Sequence, residues 1–292
     1  MGKPITLNEF FFLFGFASVM ILVNMLSHVR AGMRLLITIP RGSYYGHCPI
    51  CEKWTIFLKE GTWLRDQLRC YRCKSIPRWR ALIHILQARF PNWRELRIHE
   101  SSPAGPASEK IARECRHYTA STYFSDVPQG KRKDGIRCED LQQQTFADAS
   151  FDLVITSDVF EHVLDPARAF AEVIRTLTPG GAHVFTVPWY WWKETLVRAV
   201  RKNDGSVENL QPPDYHGNPF DSNGSLVVTE WGPDLCDFIY RHSGATTTSI
   251  LIRDMRLGLA GEFCEVFISF RGSGCGFLNE PPERKIESLA DR

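Results

Sequence analysis

The chain has 292 residues, of which 43% are hydrophobic and 23% charged, and its formal net charge at pH 7 is only +2. This length allows a small module and one α/β domain with a buried core, and the lack of an internal repeat excludes a repeat architecture. The nine cysteines are an odd number, which disfavours a framework made only of disulfides.

The first strong pattern is an apolar run at residues 10–26, just long enough for a short membrane span. Basic residues beginning with Arg30 follow the run and outweigh Lys3 before it, so an anchor of this kind leaves the remaining chain in the cytoplasm. Two alternatives stay open: an extra helix packed on the folded domain, or a natural translation start near Met33. We predict a cytoplasmic protein whose residues 1–40 form a hydrophobic helix, a candidate for membrane contact.

Two C-x2-C pairs follow, with 18 residues between them; their members are Cys48, Cys51, Cys70 and Cys73. Each pair forms a tight knuckle, and two knuckles can place four thiolates around one tetrahedral zinc ion. Four protein ligands close the coordination shell, so the zinc would be structural. Two disulfides or a redox pair are the alternatives. Residues 41–92 are therefore predicted to form a zinc-ribbon-like module.

The segment from residue 41 to residue 97 is strongly basic, with twelve Lys and Arg against four acidic residues. Aromatic residues, among them Trp54 and Trp79, lie between these charges. This combination suits an anionic partner, and nucleic acid is compatible with it. Zinc ribbons also serve as docking modules that gate an active site, so a nucleic-acid partner is not favoured.

Alternating strands and helices are predicted after residue 93. The pattern predicts a strand at residues 96–100, a helix at 109–117 and a second strand at 117–124. A third strand ends at the acidic pair Glu139 and Asp140. Such an alternation predicts parallel strands with helices packed on them.

The most informative stretch runs from Phe151 to Pro188. An apolar strand stops at Ser157 and Asp158, and ligands of open α/β sheets bind at such strand ends. Asp165 is a good helix N-cap, and an amphipathic helix follows it until a Pro-Gly-Gly turn. The next strand begins after this turn, so the stretch predicts a strand–helix–strand unit.

The remaining chain has weaker patterns. Three tryptophans in residues 189–192 either cap a substrate pocket or pack against the sheet, and a helical stretch to residue 202 follows them. A helix at 233–242 and strands at 246–252 and 262–270 are predicted downstream. Residues 272–292 have no apolar period, which predicts a mobile tail.

Five short motifs in residues 151–188 occur in a defined order: Phe-Asp-Leu-Val, Glu-His-Val, Asp-Pro, Leu-x-Pro-Gly-Gly and Phe-Thr-Val-Pro. In this wording the chain resembles the class I S-adenosylmethionine-dependent methyltransferases. The resemblance implies an α/β fold for residues 93–271: a seven-stranded, doubly wound, Rossmann-like sheet whose last strand is antiparallel. It also implies S-adenosylmethionine as the cofactor.

The resemblance implies further positions for the cofactor. Asp140 would meet the adenine amine with Leu141 beside the ring, while Ser157 and Asp158 would lie at the end of the fourth strand. The alternative is that Glu139 and Asp140 are ordinary solvated turn residues.

The loop after the first strand departs from the family. Members usually carry several glycines there, but residues 101–108 contain only one. The loop instead resembles that of a bacterial subgroup with a His-Glu-Ser-Ser-Pro sequence. Glu100, Ser101 and Ser102 are the candidate cofactor residues, since serine hydroxyls and amides at a helix start can hold a carboxylate. No residue is assigned to the ribose.

Three residues are candidates for acid–base catalysis. Tyr215 and His216 lie in a loop rich in Gly, Pro and Asn, which suits a substrate lid or a general base. His162 is a second candidate base, although it also suits a role in stabilising the turn after the fourth strand.

The leading interpretation is an S-adenosylmethionine-dependent methyltransferase acting on an unidentified small-molecule or macromolecular acceptor. The competing interpretation is a non-catalytic adaptor, in which the zinc ribbon binds a partner and the cofactor site has lapsed. A nicotinamide-dependent dehydrogenase is disfavoured, because the chain lacks the dinucleotide glycine fingerprint.

Overall fold

The computed structural model describes residues 41–218 and 221–272 of the chain. The predicted N-terminal helix and all but the first residue of the predicted tail lie outside these residues, so both stay predictions. Within the described part of the chain, no helix is long and apolar enough to cross a membrane.

The cysteine pairs belong to a small antiparallel sheet at the start of the described chain. Its strands are β1 (Tyr44–Cys48), β2 (Lys53–Lys59) and β3 (Leu68–Cys70), in the order β1-β2-β3. Helix α1 (Leu64–Gln67) precedes β3, and helix α2 (Pro77–Arg89) follows the second cysteine pair. Proline is favoured in the first turn of a helix, and Pro77 occupies that position in α2.

The first strands of the main sheet alternate with two helices. The bounds are β4 (Arg97–Ser101), α3 (Gly105–Glu114), β5 (His117–Thr122), β6 (Arg132–Lys133), β7 (Ile136–Cys138), β8 (Phe151–Ser157), α4 (Pro166–Thr176) and β9 (Leu177–Thr186). Asp165 caps α4 by accepting a hydrogen bond from the Arg168 amide at 3.0 Å, which confirms the predicted helix start. Short 3₁₀ turns occupy Trp93–Glu95 and Phe160–His162.

Three small antiparallel pairs follow β9. They join β10 (Leu196–Val197) with β15 (Thr229–Glu230), β11 (Ala199–Arg201) with β12 (Val207–Asn209), and β13 (Tyr215–Asn218) with β14 (Asp221–Leu226). The predicted helical stretch to residue 202 is therefore wrong. Leu196 and Val197 are exposed, and antiparallel pairing with β15 supplies their backbone hydrogen bonds in place of a helix.

The last described elements are helix α5 (Leu235–Ser243), β16 (Thr246–Ile250), a 3₁₀ turn at Met255–Leu257 and β17 (Val266–Phe270). The two strands complete the main sheet. Its order is β16-β17-β9-β8-β4-β5-β7-β6. The pairs from β9 to β7 are parallel, whereas β17 runs antiparallel to both of its neighbours. The predicted sheet with an antiparallel last strand is confirmed, and the two-residue strand β6 adds an eighth member at one edge.

The small sheet and the main sheet share one hydrophobic core. Phe57 of β2 and Leu86 of α2 belong to the same buried cluster as Ile155 of β8 and Val184 of β9. The core therefore holds the four-cysteine sheet against the large sheet, which places residues 64–79 near the carboxyl ends of the parallel strands.

Candidate functional site

A pocket of about 450 Å³ opens at the carboxyl ends of β4, β5, β7 and β8. Neighbouring parallel strands bring their following loops to one edge, which is where open α/β sheets bind ligands. The hairpin β13–β14 covers part of the pocket through Gly217, Ser225 and Leu226. The volume of the pocket lies within the range of small-molecule binding sites.

Most of the predicted site residues meet in this pocket. Its wall contains Ser101, Ser102, Asp140, Leu141, Ser157, Asp158 and His162. Glu100 lies behind the wall, where it accepts hydrogen bonds from Ser108 Oγ at 2.6 Å and Tyr118 Oη at 2.7 Å. Burial raises the pKa of this carboxyl group, and its contacts indicate that Glu100 positions the loop from within the protein.

The loop between β4 and α3 has an unusual backbone at Ser102. This residue has a φ of +55°, a conformation that non-glycine residues adopt only when the surrounding structure enforces it. The Ser102 amide donates to the Ser121 carbonyl at 2.7 Å, and its hydroxyl lies 3.2 Å from Thr122 Oγ1. The end of β5 thus holds the glycine-poor loop in place.

Asp140 presents its carboxylate at the end of β7. Gln142 orients it, because its backbone and side-chain nitrogens both donate to Asp140 Oδ1 at 2.9 Å. Glu139 is buried instead and forms an ion pair with Arg137 at 2.6 Å. The alternative that both acidic residues are solvated turn residues is therefore wrong for Glu139.

Asp158 is bound by two arginines from the N-terminal part of the chain. Arg65 lies 2.8 Å and Arg78 3.0 Å from its Oδ2, and Thr186 donates to its Oδ1 at 2.9 Å. Burial of this carboxyl group opposes ionisation, but the two guanidinium groups outweigh it and lower the pKa of Asp158 to about 2.

Arg78 and Trp79 also line the pocket. The basic and aromatic character of this segment is visible in the sequence, whereas its position at the strand ends is not. No local signal identifies that position, since Arg78 contacts Asp158, which lies 80 residues further along the chain.

The catalytic candidates occupy different places. His162 lies in the wall, and its Nδ1 is 2.8 Å from the Leu226 carbonyl, so this nitrogen carries the proton that is donated. The His216 ring stands perpendicular to that of His162, with 5.3 Å between centroids. Tyr215 is exposed and does not line the pocket.

Glu161 adjoins the two histidines. Its Oε1 lies 3.8 Å from His162 Nε2, and ligand atoms of Glu161, His162 and His216 all lie within 4.8 Å of one another. Burial raises the pKa of Glu161 and lowers the pKa values of both histidines.

The four cysteines Cys48, Cys51, Cys70 and Cys73 form one cluster of free thiols. The Sγ atoms of Cys48 and Cys73 are 3.7 Å apart, and those of Cys51 and Cys70 are 4.0 Å apart. A tetrahedral zinc ion with Zn–S bonds of about 2.3 Å separates its sulfur ligands by about 3.8 Å. The donor set and spacing therefore fit zinc, while the free thiols argue against two disulfides.

Of the three tryptophans after β9, only Trp189 packs against the sheet, and none lines the pocket. Trp189 packs on Phe267 and donates from Nε1 to the Gly232 carbonyl at 2.6 Å. Trp191 and Trp192 are exposed and do not line the pocket. Trp189 thus follows the packing alternative.

Comparison with known proteins finds a family model that is similar to the central part of the chain. Residues 104–185 match the family model described as a methyltransferase domain. Over 48 residues the chain is 51% identical to dimethylglycine N-methyltransferase from Parasynechococcus marenigrum (strain WH8102). The aligned stretch covers 16% of this chain and 17% of that protein. The chain therefore spans about a sixth of the length of this curated relative.

Solved structures are similar at lower identity. An S-adenosylmethionine-dependent methyltransferase from Mesorhizobium loti is 19% identical, with a TM-score of 0.43 over 65% of this chain and 97% of that chain. The 1,6-didemethyltoxoflavin-N1-methyltransferase from Burkholderia thailandensis is 13% identical, with a TM-score of 0.40 over 67% of this chain and 78% of that chain.

The matched residues 104–185 include α3, α4, β8 and most of β9, together with Asp140 and Asp158 of the pocket. Over residues 104–185 the chain is thus similar to a methyltransferase domain.

Proposed function

We propose that this chain is an active S-adenosylmethionine-dependent methyltransferase that binds its cofactor along the carboxyl ends of β4, β5, β7 and β8. The observation that carries this proposal is the convergence in one pocket of polar strand ends that are far apart in sequence. Ser101, Asp140 and Ser157 all reach it, and its volume of about 450 Å³ accommodates a nucleoside-sized ligand.

Each pocket residue has a distinct task in this proposal. Asp140, held by Gln142, accepts a hydrogen bond from the adenine amine, and Leu141 lies against the ring. Ser101 and Ser102 bind the polar end of the methionine moiety. Their loop resembles the bacterial His-Glu-Ser-Ser-Pro subgroup, with the end of β5 taking over the positioning that glycines provide in other members.

The bound cofactor supplies an activated methyl group on a sulfonium. The protein needs to hold the acceptor in line with this group and to exclude water, with a base required only when the acceptor must lose a proton. His162 is the proposed base: donation from Nδ1 to Leu226 leaves the Nε2 lone pair available. The His216 ring packs against the His162 ring and helps to position it. Tyr215 lies on the hairpin β13–β14, which we propose as a lid.

The four-cysteine sheet has a structural role in this proposal. A zinc ion held by the four thiolates would link β1 to β3, and the same segment supplies Arg65, Arg78 and Trp79 to the pocket region. Zinc would therefore stabilise one wall of the cofactor site without taking part in methyl transfer.

The test is calorimetric titration of the full chain with S-adenosylmethionine and S-adenosylhomocysteine. Saturable binding is expected, and Asp140→Ala should weaken it about 10- to 100-fold, the effect of losing a hydrogen bond to a charged acceptor. Asp237→Ala is the matched control, because Asp237 is an exposed carboxylate on α5.

Absence of binding by folded, zinc-loaded protein would overturn the proposal and favour the non-catalytic adaptor. The single glycine in the loop after β4 is the observation that supports this alternative. Unchanged affinity in Asp140→Ala would refute the adenine assignment alone.

A further inference from the structure

Glu161 has a buried carboxyl group that lacks a hydrogen-bond partner among the described residues. Its exposed fraction is 1%, and neither Oε1 nor Oε2 has a hydrogen-bond partner. Leaving such a group unsatisfied costs free energy of folding, so buried carboxylates are normally paired, hydrogen-bonded or bound to a cation. A proton neutralises such a buried carboxyl group, and a bound cation can take the place of that proton.

The neighbouring arginines do not satisfy Glu161. Arg65 binds Asp158 through both carboxylate oxygens and donates from Nε to the Phe263 carbonyl at 3.0 Å. Arg78 is shared between Asp158 and Asp66. Both guanidinium groups are thus bound to other acceptors.

Two imidazoles provide the missing donors for a cation. His162 Nε2 faces Glu161 at 3.8 Å, and its Nδ1 is held by the Leu226 carbonyl. Metal-binding histidines are held in this way, with one nitrogen donating to a carbonyl and the other free to ligate. His216 reaches the same point from β13, with its ring perpendicular to that of His162.

The spacing of the three groups fits one ion. Their ligand atoms lie within 4.8 Å of one another. A metal with bonds of about 2.0–2.2 Å holds neighbouring ligand atoms roughly 3–3.5 Å apart. Closing the difference takes an adjustment of about 1 Å, within the scale of a side-chain rotation.

We propose that Glu161, His162 and His216 bind a divalent transition-metal ion beside the pocket, whose wall His162 alone of the three forms. Two nitrogens and one oxygen favour Zn²⁺, Mn²⁺ or Fe²⁺ over Mg²⁺ and Ca²⁺, which prefer oxygen ligands. Three protein ligands leave coordination positions open, unlike the closed four-cysteine site. This site is separate from the one predicted for structural zinc.

The open positions define an acceptor class. His162 and Leu226 line the pocket, so an acceptor with hydroxyl or carboxylate oxygens would bind there beside the cofactor. An ion on His162 Nε2 would occupy the lone pair of the proposed base, so in the metal-bound protein coordination of the acceptor oxygen would replace that base. This last step rests on the proposed methyltransferase function, whereas metal binding itself does not require it.

The test is a titration of the full chain with MnCl₂, in which the electron paramagnetic resonance signal of free Mn²⁺ is measured. The chain is first loaded with zinc to one equivalent, so that the thiolate site is filled and Mn²⁺ reports on the nitrogen and oxygen ligands. One Mn²⁺ per chain is expected. Glu161→Gln and His216→Gln should each raise the Kd at least tenfold, and the zinc content should stay at one equivalent.

His117→Gln is the matched control, because His117 is exposed at the start of β5, and its Kd for Mn²⁺ should be unchanged. The proposal is overturned if the unmodified chain does not bind Mn²⁺, a result that does not depend on whether the variants fold. It is also overturned if Glu161→Gln and His216→Gln bind Mn²⁺ as tightly as the unmodified chain. S-adenosylhomocysteine titration of the same samples separates the two proposals. If the unmodified chain binds Mn²⁺ but does not bind S-adenosylhomocysteine, the methyltransferase function is refuted and the metal site is not.

Discussion

Arg65 donates two hydrogen bonds to Asp158, at 2.9 Å to Oδ1 and 2.8 Å to Oδ2, across 93 residues of sequence. Arg65 follows the first cysteine pair, whereas Asp158 comes directly after β8 at the pocket. The exposed fractions of the two side chains are 7% and 16%. This buried pair joins the four-cysteine sheet to the edge of the main sheet where the pocket lies.

Replacing Asp158 with Asn should destabilise the protein strongly. The variant leaves the guanidinium group of Arg65 buried without its counter-charge and leaves Arg78 paired with Asp66 alone; breaking a buried ion pair in this way typically costs about 3–5 kcal/mol. Urea unfolding followed by tryptophan fluorescence measures the effect. Glu60→Gln is the control: Glu60 pairs with Arg69 at 2.9 Å, but both are more than 40% exposed, so its loss should cost less than about 1 kcal/mol. Equal costs for the two variants would contradict a structural role for the buried pair.

Replacing Cys70 with Ser should remove the zinc and weaken cofactor binding together. Cys70 is fully buried in β3, and the segment after it carries Arg78 and Trp79 to the pocket. Elemental analysis and S-adenosylhomocysteine titration give the two readouts. Cys236→Ser, in α5 and away from the cluster, should change neither. Zinc loss with unchanged affinity would show that the module does not support the pocket.

Replacing Gly105 with Ala should disturb the pocket through Trp79. Gly105 has a φ of +70°, and a Cβ there would come within 2.4 Å of the Trp79 ring. The indole must move, so we expect weaker S-adenosylhomocysteine binding and an overpacking cost of about 1–3 kcal/mol beyond the backbone cost. Gly135→Ala isolates that backbone cost of roughly 1 kcal/mol, because its φ is +82° and a Cβ there meets no atom within 4 Å. Similar affinity and stability in the two variants would exclude a tight contact between Trp79 and the loop.

Two buried histidines should make the protein less stable as the pH falls. Burial, together with the nearby charge of Arg137, lowers the pKa of His99 to about 3. Burial, together with the neighbouring His99, lowers the pKa of His183 to about 3. Below a pH of about 6.5 the unfolded chain binds protons that the folded chain excludes. Stability is therefore lost between about pH 6.5 and 3, by up to about 1.4 kcal/mol per pH unit for each histidine.

His99→Gln tests this dependence. His99 bonds to Ser121 Oγ at 2.7 Å and packs between Phe146 and Phe151, so some loss of stability at pH 7 is expected. The informative quantity is the slope of unfolding free energy against pH from 6 to 4.5, which should decrease by about 1.4 kcal/mol per unit. The exposed control His117→Gln should keep the original slope. An unchanged slope in His99→Gln would show that this residue is protonated equally in the folded and unfolded chains.

The elements predicted with most success depend on local patterns. The N-cap at Asp165, the apolar run of β8 and the C-x2-C spacing each lie within a few residues, so their backbone and side-chain chemistry can be derived from the sequence. The helical stretch to residue 202 failed for the converse reason. That segment is stabilised by pairing with β15, whose residues lie about 30 positions downstream.

The sequence alone determined the alternation of strands and helices, the pairing of the four cysteines in two C-x2-C motifs and the polar residues at the strand ends, since each follows from spacing and residue type. Only the tertiary structure placed Arg65 and Arg78 on Asp158, Trp79 against the loop after β4, and His216 beside Glu161. These contacts join segments that are distant along the chain, and they form because a shared hydrophobic core docks the small sheet while a covering hairpin closes over the pocket. Burial then decides which of their charges need partners, a property that no residue has on its own.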